Sequence, residues 1–275
     1  MKRCILPAVF LSLIFVIPAN AQTIESAALR QVNPAPQPGP SPQPIMTPRQ
    51  VAEMRADILL ARKMYPEAIK AYEELAKREP KNATLFNKIG EAYESDLNYG
   101  HAEHWFKRAI KSDKTCASAY NNFGTVEYAK RHYKNAVRWY QKTLLLRPDA
   151  SVAAPAYSNM GYAYFAWKKY PEAMSAFAQA IEIDPAIMTE RGTSGPVMQQ
   201  RGTTDPGLFY FFVARIYAQS GDAAHAAHYL KMARDIGYAK FVSAKTDPAF
   251  AKVIKDPRVQ AIFVPVPEMT SSHRK

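Results

Sequence analysis

Five small residues recur in this chain at the same point of a helical pattern, and their spacing constrains the fold more than any other feature. They are separated by 34, 34, 37 and 53 residues: Ala56, Gly90, Gly124, Gly161 and Ala214. An alanine follows each after 12 residues, and four residues later comes a bulky side chain: Tyr72, Phe106, Tyr140, Phe177 and Leu230. Small residues let helices approach closely, and a large residue four positions after an alanine fills the gap on the same face. The pattern predicts repeated helix pairs.

Proline and tyrosine mark the limits of these units. A proline, which cannot continue a helix, ends three of them: Pro80, Pro148 and Pro185. A tyrosine precedes the second helix of four units, where its ring can fill the turn: Tyr65, Tyr99, Tyr133 and Tyr170. Hydrophobic residues at 48%, charged residues at 22% and a mean hydropathy of −0.30 exclude a multi-span membrane protein and a fully disordered chain.

This pattern resembles the tetratricopeptide repeat family. Besides the positions above, the resemblance is carried by Tyr93, by Tyr164 and by the stretches NNFG (121–124) and SNMG (158–161). It implies an all-α fold: an α-solenoid of about five helix pairs stacked into a right-handed superhelix. In that family the first helix of each pair lines a concave groove, and the second forms the convex face. Ala52 and Glu127 depart from the family's usual aromatic residues at their positions.

The repeats set the predicted domain boundaries. We expect a signal peptide at 1–21, a disordered proline-rich spacer at 22–48, repeats at 49–82, 83–116, 117–150 and 154–187, an inserted loop or short β-hairpin at 188–206, a fifth repeat at 207–240, capping helices at 241–267 and a disordered tail at 268–275. Residues 151–153 are extra and are expected to splay the third and fourth units slightly. The cap is predicted from two Asp-Pro helix starts, 247–248 and 256–257, because solenoid ends need covering.

The first 21 residues have the three parts of a secretory signal peptide. A positive start at Lys2 and Arg3 precedes an apolar run at 5–17, and small residues at Ala19 and Ala21 place the cleavage after Ala21. The run of about 13 residues is shorter than the roughly 20 that span a bilayer; an uncleaved anchor is the alternative. We therefore expect a periplasmic or secreted protein.

Two segments leave a structural and a functional interpretation open. The spacer holds seven prolines between positions 33 and 48 and favours extended geometry. It either lifts the domain off a surface or serves as a docking peptide for a proline-binding module. The insertion at 188–206 repeats the sequence RGT and is long for a loop in a compact array. It is either an ordinary insertion packed beside the groove or a binding loop.

No pattern of residues predicts catalysis. The sequence contains no P-loop, HExxH or GxSxG motif. His101 with His104, and His225 with His228, have a spacing that could hold a metal, but their surroundings favour a solvated helix face. Cys116 is expected to be a packed thiol, since no His or Asp partner is evident. We predict a non-enzyme without cofactor or metal.

A predicted peptide-binding groove lies along the first helices. Its candidate residues are Asn87, Lys88, Glu91, Asn122, Thr125, Tyr128, Asn159, Tyr162, Phe165, Phe212 and Arg215. Asn122 and Asn159 occupy equivalent places, where the resemblance implies that an asparagine holds the backbone of an extended peptide; the alternative is that both satisfy neighbouring helices. The family's carboxylate clamp is not reproduced, because Lys88 and Arg215 are far apart in repeat order.

Positive charge is concentrated on the second helices. The net charge is +12, and residues 101–147 hold ten Lys or Arg against three Asp or Glu. The candidate convex patch consists of Lys107, Arg108, Lys111, Lys134, Arg138 and Lys142. It is either a solvated helix face or a contact for a polyanion such as an acidic glycan or an anionic membrane surface.

These features predict a non-catalytic interaction scaffold of the cell envelope, which binds a peptide or helix of a protein partner in the groove. One alternative is polyanion binding by the convex patch. Another is an accessory subunit of an envelope enzyme or secretion complex. We do not expect nucleic acid to bind an exported chain, and the oligomeric state stays open because repeat arrays can stack end to end.

Overall fold

A computed structural model describes residues 46–188 and 205–264. These ranges contain eleven α-helices: α1 (Pro48–Ala61), α2 (Tyr65–Arg78), α3 (Ala83–Ser95), α4 (Tyr99–Ser112), α5 (Ala117–Ala129), α6 (Tyr133–Leu145), α7 (Ala150–Ala166), α8 (Tyr170–Ile183), α9 (Pro206–Ser220), α10 (Ala223–Asp235) and α11 (Pro257–Ala261). No strand occurs in the described ranges. The predicted signal peptide, most of the spacer and insertion, and the tail lie outside them.

Consecutive helices pair, and the pairs stack in chain order. The pairs α1–α2, α3–α4, α5–α6, α7–α8 and α9–α10 form repeats 1 to 5, and each pair packs against the next. The predicted all-α solenoid is confirmed. The second helices of repeats 1 to 4 begin at the four tyrosines that the sequence marked.

The small residues of the repeat stand where two helices touch. A Cβ atom built on Gly161 of α7 would lie 2.6 Å from Cδ1 of Phe177 on α8, which is far inside van der Waals contact. Gly124 faces Tyr140 in the same way, and Gly90 faces Phe106. All three rings are fully buried. The 34-residue period is therefore the period of one close helix crossing, with an aromatic ring laid on a glycine.

A left-handed residue recurs in the turn inside every repeat. Lys63, Leu97, Arg131 and Lys168 have φ values of 62°, 60°, 63° and 61°, and Gly221 has a φ of 90°. These five positions keep the 34, 34, 37 and 53 spacing of the small residues. A side chain in this region costs roughly 1–2 kcal/mol, so only repeat 5 has the residue type that avoids the cost.

The three extra residues at 151–153 lengthen a helix. Helix α7 has 17 residues and begins at Ala150, directly after Asp149, whose side chain accepts a hydrogen bond from the backbone N–H of Ser151. The added turn carries Pro155 within the helix. The insertion between repeats 3 and 4 is therefore absorbed as helix rather than as a loop.

The C-terminal segment covers the last repeat with three short elements, the first of which is a 3-10 helix at Ala239–Lys245. A 3-10 turn at Pro248–Phe250 follows Asp247, and α11 follows Asp256; both aspartates accept a hydrogen bond from the N–H group two residues on. The segment's buried apolar side chains pack on α9 and α10: Phe250, Val253, Val259 and Ile262. The fold thus ends in a short apolar lid.

Among the helices described, none combines the length and the apolar character that a bilayer crossing needs.

Candidate interaction surface on the first helices

A group of ion pairs joins repeats 1 and 2 on their first helices. The Lys88 ammonium lies 2.8 Å from Oε1 of Glu53 and 2.8 Å from Oδ1 of Asp57. Tyr72 of α2 donates its hydroxyl to the same Asp57 oxygen at 2.5 Å. All three donors of the ammonium are used within the protein, because it also contacts the second Asp57 oxygen at 3.0 Å.

A chain of side-chain amides continues from these ion pairs across α3, α5 and α7. Glu91 Oε1 accepts hydrogen bonds from Nδ2 of Asn87 at 2.8 Å and of Asn122 at 2.7 Å. Asn121 Nδ2 donates to Asn122 Oδ1 at 3.1 Å, and Asn159 Nδ2 donates to Asn121 Oδ1 at 3.2 Å. We call the whole set the inner row: Glu53, Asp57, Asn87, Lys88, Glu91, Glu94, Asn121, Asn122 and Asn159.

The carboxylate at one end sets the direction of the amide chain. An ionised Glu91 only accepts, so the amides of Asn87 and Asn122 must turn their N–H groups toward it. Each later amide then donates to the oxygen of the one before it. The chain ends at Asn159, whose Oδ1 is buried and has no hydrogen-bond partner among the described residues. The arrangement leaves an unused acceptor.

Two carboxyl groups of the inner row have raised pKa values. Burial raises the pKa of Glu91, which the two amide hydrogen bonds lower in part. Burial and the neighbouring Glu91 charge raise the pKa of Glu94 to about 8. The two residues are three apart on α3 and so share a face. Glu94 has neither an ion pair nor a side-chain hydrogen bond within the described ranges, so nothing there compensates its charge.

The structure corrects the predicted groove in its fourth repeat. Asn159 is 1% exposed, Tyr162 is 1% exposed and Phe165 is 3% exposed, so none of them offers a free contact surface. Phe209 of α9 packs on both aromatic rings, with centroid distances of 5.3 and 5.7 Å. Met188, where the insertion begins, joins the same core. These two side chains cover the inner face of repeat 4, which the repeat register alone would leave open.

The other predicted groove residues lie in repeats 3 and 5. Thr125 and Tyr128 of α5 are partly exposed, and burial raises the pKa of the Tyr128 phenol to about 12. Phe212 packs on Phe165 and on Tyr170 of α8. Arg215 lies 2.8 Å, Nε to Oδ2, from Asp247 of the C-terminal lid. At repeat 5 the groove position is thus paired inside the chain.

Both predicted peptide-binding asparagines make hydrogen bonds to neighbouring helices. Asn122 donates to Asn87 and Glu91, and Asn159 donates to Asn121, so each satisfies a neighbouring helix. The open part of the inner face lies in repeats 1 to 3 and includes Glu91, Glu94, Asn122, Thr125 and Tyr128, all partly exposed.

The sequence argument missed four residues of the inner row: Glu53, Asp57, Glu94 and Asn121. Asp57 has the same place in repeat 1 as Glu91 in repeat 2, and Glu53 has the place of Asn87 and Asn121. Extending the groove columns to the first repeat would have found these. Glu94 has the place of Tyr128 and Phe165, which were groove candidates, so the same extension to repeat 2 would have found it.

The predicted convex patch lies on α4 and α6, and five of its six residues are exposed. Arg108 is the exception, since its guanidinium stacks 4.2 Å from the Trp105 ring. The Lys142 ammonium lies 4.1 Å from the Trp139 ring, beside an open depression of about 520 Å³ that Arg138 also lines. Leu145, 79% exposed, borders it. Several cations are thus held against aromatic rings on this face.

The histidine pairs stand at the starts of second helices. His101 stacks on Tyr93 at 5.0 Å, and His225 stacks on Tyr217 at 4.7 Å. Each also contacts the side chain three residues before it, Asn98 or Asp222. In the described ranges, no three His, Cys, Asp or Glu side chains gather as metal ligands would.

The repeats match known protein families and relatives in sequence. Two family models, both described as tetratricopeptide repeat, match residues 53–115 and 115–186. Subunit 6 of the anaphase-promoting complex of Arabidopsis thaliana is 31% identical over 121 residues, which is 42% of this chain and 22% of that protein. The Hsp70-Hsp90 organizing protein of Triticum aestivum is 29% identical over 85 residues, 31% of this chain and 15% of that protein.

This chain spans about a fifth or less of the length of those relatives. Among solved structures, it is similar to PilF of Pseudomonas aeruginosa, with a TM-score of 0.49 and 15% identity over 72% of this chain and 96% of that one.

Proposed function

We propose that this chain, a tetratricopeptide repeat protein, is an interaction scaffold. Its inner face in repeats 1 to 3 binds an extended segment or helix of a protein partner. One observation carries the proposal. The inner row holds polar side chains in fixed orientations on consecutive first helices, and in repeats 2 and 3 several remain partly exposed. A preorganised polar surface of this kind loses little freedom when a partner binds.

The binding face proposed is shorter than the whole array. Phe209 and Met188 fill the inner side of repeat 4, and the ion pair of Arg215 with Asp247 occupies repeat 5. A partner segment therefore has three repeats to contact. One extended residue spans about 3.3 Å, so a segment of roughly eight residues would suffice to cross helix layers about 9–10 Å apart.

Photo-crosslinking in cells tests the scaffold. A reactive residue at Thr125, on the inner face, is expected to capture a discrete protein, and one at Arg138, on the outer face, is not. Replacing Asn122 with alanine removes two donors to the inner row and is expected to weaken that partner about tenfold, the usual effect of an anchoring residue. Asn135→Ala, on the exposed face of α6, is the matched control.

Two results would contradict the scaffold. Equal affinity of the Asn122→Ala variant would exclude the inner face. Capture only from Arg138, with binding that weakens steeply as salt is added, would favour the alternative in which the basic patch of α4 and α6 holds a polyanion, because each neutralised charge releases counter-ions. A complex that purifies intact at fixed stoichiometry would favour the accessory-subunit alternative.

We further propose that the protein acts outside the cytoplasm, after cleavage behind Ala21. The support is the charged start, apolar run and small residues of 1–21, which lie outside the described residues. N-terminal sequencing of the protein purified from its native cells is expected to begin at Gln22. A chain that still begins at Met1 would contradict export through a cleaved leader.

A further inference from the structure

We propose that the inner row in repeats 2 and 3 binds a lysine or arginine side chain of the partner segment, with the carboxyl groups of Glu94 and Glu91 as its counter-ions. This inference rests on the proposed scaffold function and names the chemistry of the partner. Two properties of the inner row support it: its cations already have partners, and two of its carboxyl groups have no counter-ion.

The positive charge of the inner row is already used. The Lys88 ammonium makes three contacts with Glu53 and Asp57. Arg49, at the start of α1, pairs with the other Glu53 oxygen at 2.9 Å and with Glu79. Both cations serve the carboxylates of repeat 1. Among the described residues, no cation forms an ion pair within 4.0 Å of Glu91 or Glu94, although the Lys88 charge lowers the pKa of Glu91 in part.

The groups left over are two carboxyl groups, which become acceptors without a donor when both are ionised. Glu94 has no hydrogen-bond partner for its carboxyl group among the described residues, and Glu91 uses only Oε1, for two amides. A row that presents surplus acceptors is complemented by a group that only donates, and lysine and arginine are the two such side chains.

A cation fits Glu94 better than a neutral donor does. The Glu94 side chain is partly buried and stands three residues from Glu91, so burial and a like charge oppose its ionisation. A carboxyl group with no counter-ion in this setting costs stability when it ionises. An incoming ammonium or guanidinium supplies the missing charge, and charge-assisted hydrogen bonds are about twice as strong as neutral ones.

The proposed preference inverts the clamp that the family resemblance implied. That clamp uses Lys, Arg and Asn to hold a peptide carboxylate, and here the one lysine at the groove position is neutralised by Glu53 and Asp57. An acidic partner segment would meet carboxylates without available cations. The charges therefore select a basic partner and reject an acidic one.

Selection from a randomised dodecapeptide display library tests this inference on the full mature chain. Peptides that bind the wild-type protein are expected to be enriched at least fivefold in lysine and arginine, and the enrichment is expected to disappear with Glu94→Gln. Glu182→Gln on α8 makes the same charge change at an exposed site and is expected to select as the wild type does.

The outcomes separate this inference from the function on which it rests. Binders that lack lysine and arginine, or that are acidic, would overturn the basic preference and leave the scaffold standing. Enrichment that persists in Glu94→Gln would overturn the role of Glu94. Failure of the protein to enrich any sequence would overturn the scaffold and the preference together.

Calorimetry measures proton release on binding, which would not change if Glu94 had only a structural role. With a pKa of about 8, the carboxyl group is mostly protonated at pH 7, and an adjacent cation favours its charged form. Binding a selected basic peptide is therefore expected to release about one proton, measured from binding enthalpies in buffers of different ionisation heat. Glu91 and Tyr99, the titratable groups that interact with Glu94, stay in place in Glu94→Gln. Equal proton release from wild type and Glu94→Gln would overturn the proposal.

Discussion

Phe209→Ala is expected to lower the free energy of unfolding by about 3–5 kcal/mol, the usual cost of deleting a fully buried aromatic ring. Phe209 is the ring on which repeat 5 meets repeat 4: its centroid lies 5.3 Å from that of Tyr162, and 5.7 Å from those of both Phe165 and Phe177. The stability of a repeat array is approximately a sum of repeat and interface terms. Losing this ring should therefore uncouple repeat 5 and the C-terminal lid from the rest.

Urea unfolding followed by two probes measures this uncoupling. The three tryptophans lie in repeats 2 to 4, so their fluorescence reports those repeats, whereas circular dichroism reports all helices. In the Phe209→Ala variant the dichroism is expected to change at lower urea than the fluorescence. Phe212→Ala, on the same helix but partly exposed, is the control and is expected to cost clearly less. Coincident transitions with unchanged midpoints would show that Phe209 does not join the two repeats.

Gly161→Leu is expected to destabilise the protein by about 3 kcal/mol, although leucine is a far better helix former than glycine. The substitution places a Cβ atom 2.6 Å from the ring of Phe177, and that ring is fully buried and cannot move aside without shifting α8. The steric term here exceeds the helix-propensity gain, which is at most about 1 kcal/mol. Thermal unfolding followed by circular dichroism measures the difference.

Gly100→Ala is the matched control for this substitution. Gly100 lies in the first turn of α4, and a Cβ atom there would meet nothing within 4 Å. Alanine at such a place is expected to stabilise by about 0.4–1 kcal/mol, because it restricts the unfolded chain. If Gly161→Leu also stabilised the protein, the close crossing of α7 and α8 would be wrong.

The sequence predicted the helix pairs well because their determinants are local. Gly124 and Tyr140 act where the two helices of one repeat touch, and Pro148 acts where that repeat ends. The second-helix starts were predicted to within one residue, because the tyrosines expected just before these helices are their first residues. The same reasoning identified Asp247 and Asp256 as caps, because a capping side chain reaches only two or three residues along the chain.

The binding face was harder to predict because it depends on what covers it. The register places Tyr162 on the groove column, and its burial comes from Met188 in the insertion and from Phe209 in the first helix of repeat 5. Asn87, Asn122 and Asn159 were found by register, but the hydrogen bonds of the amide chain were not, since the direction of each amide depends on Glu91 two helices away along the row. A motif of one repeat contains neither the residues that cover Tyr162 nor the Glu91 carboxylate that orients the amides.

The two helix layers of repeats 2 and 3 also carry opposite charge, and the consequence is kinetic. The layer of α3 presents Glu91, and also Glu94 once that carboxyl group is ionised, while α4 and α6 present the exposed cations Lys107, Lys111, Lys134, Arg138 and Lys142. This separation creates an electric dipole perpendicular to the stacking direction. A charged body that diffuses toward the protein is turned by that field before any contact forms, so the first encounter is oriented and the association rate depends on ionic strength.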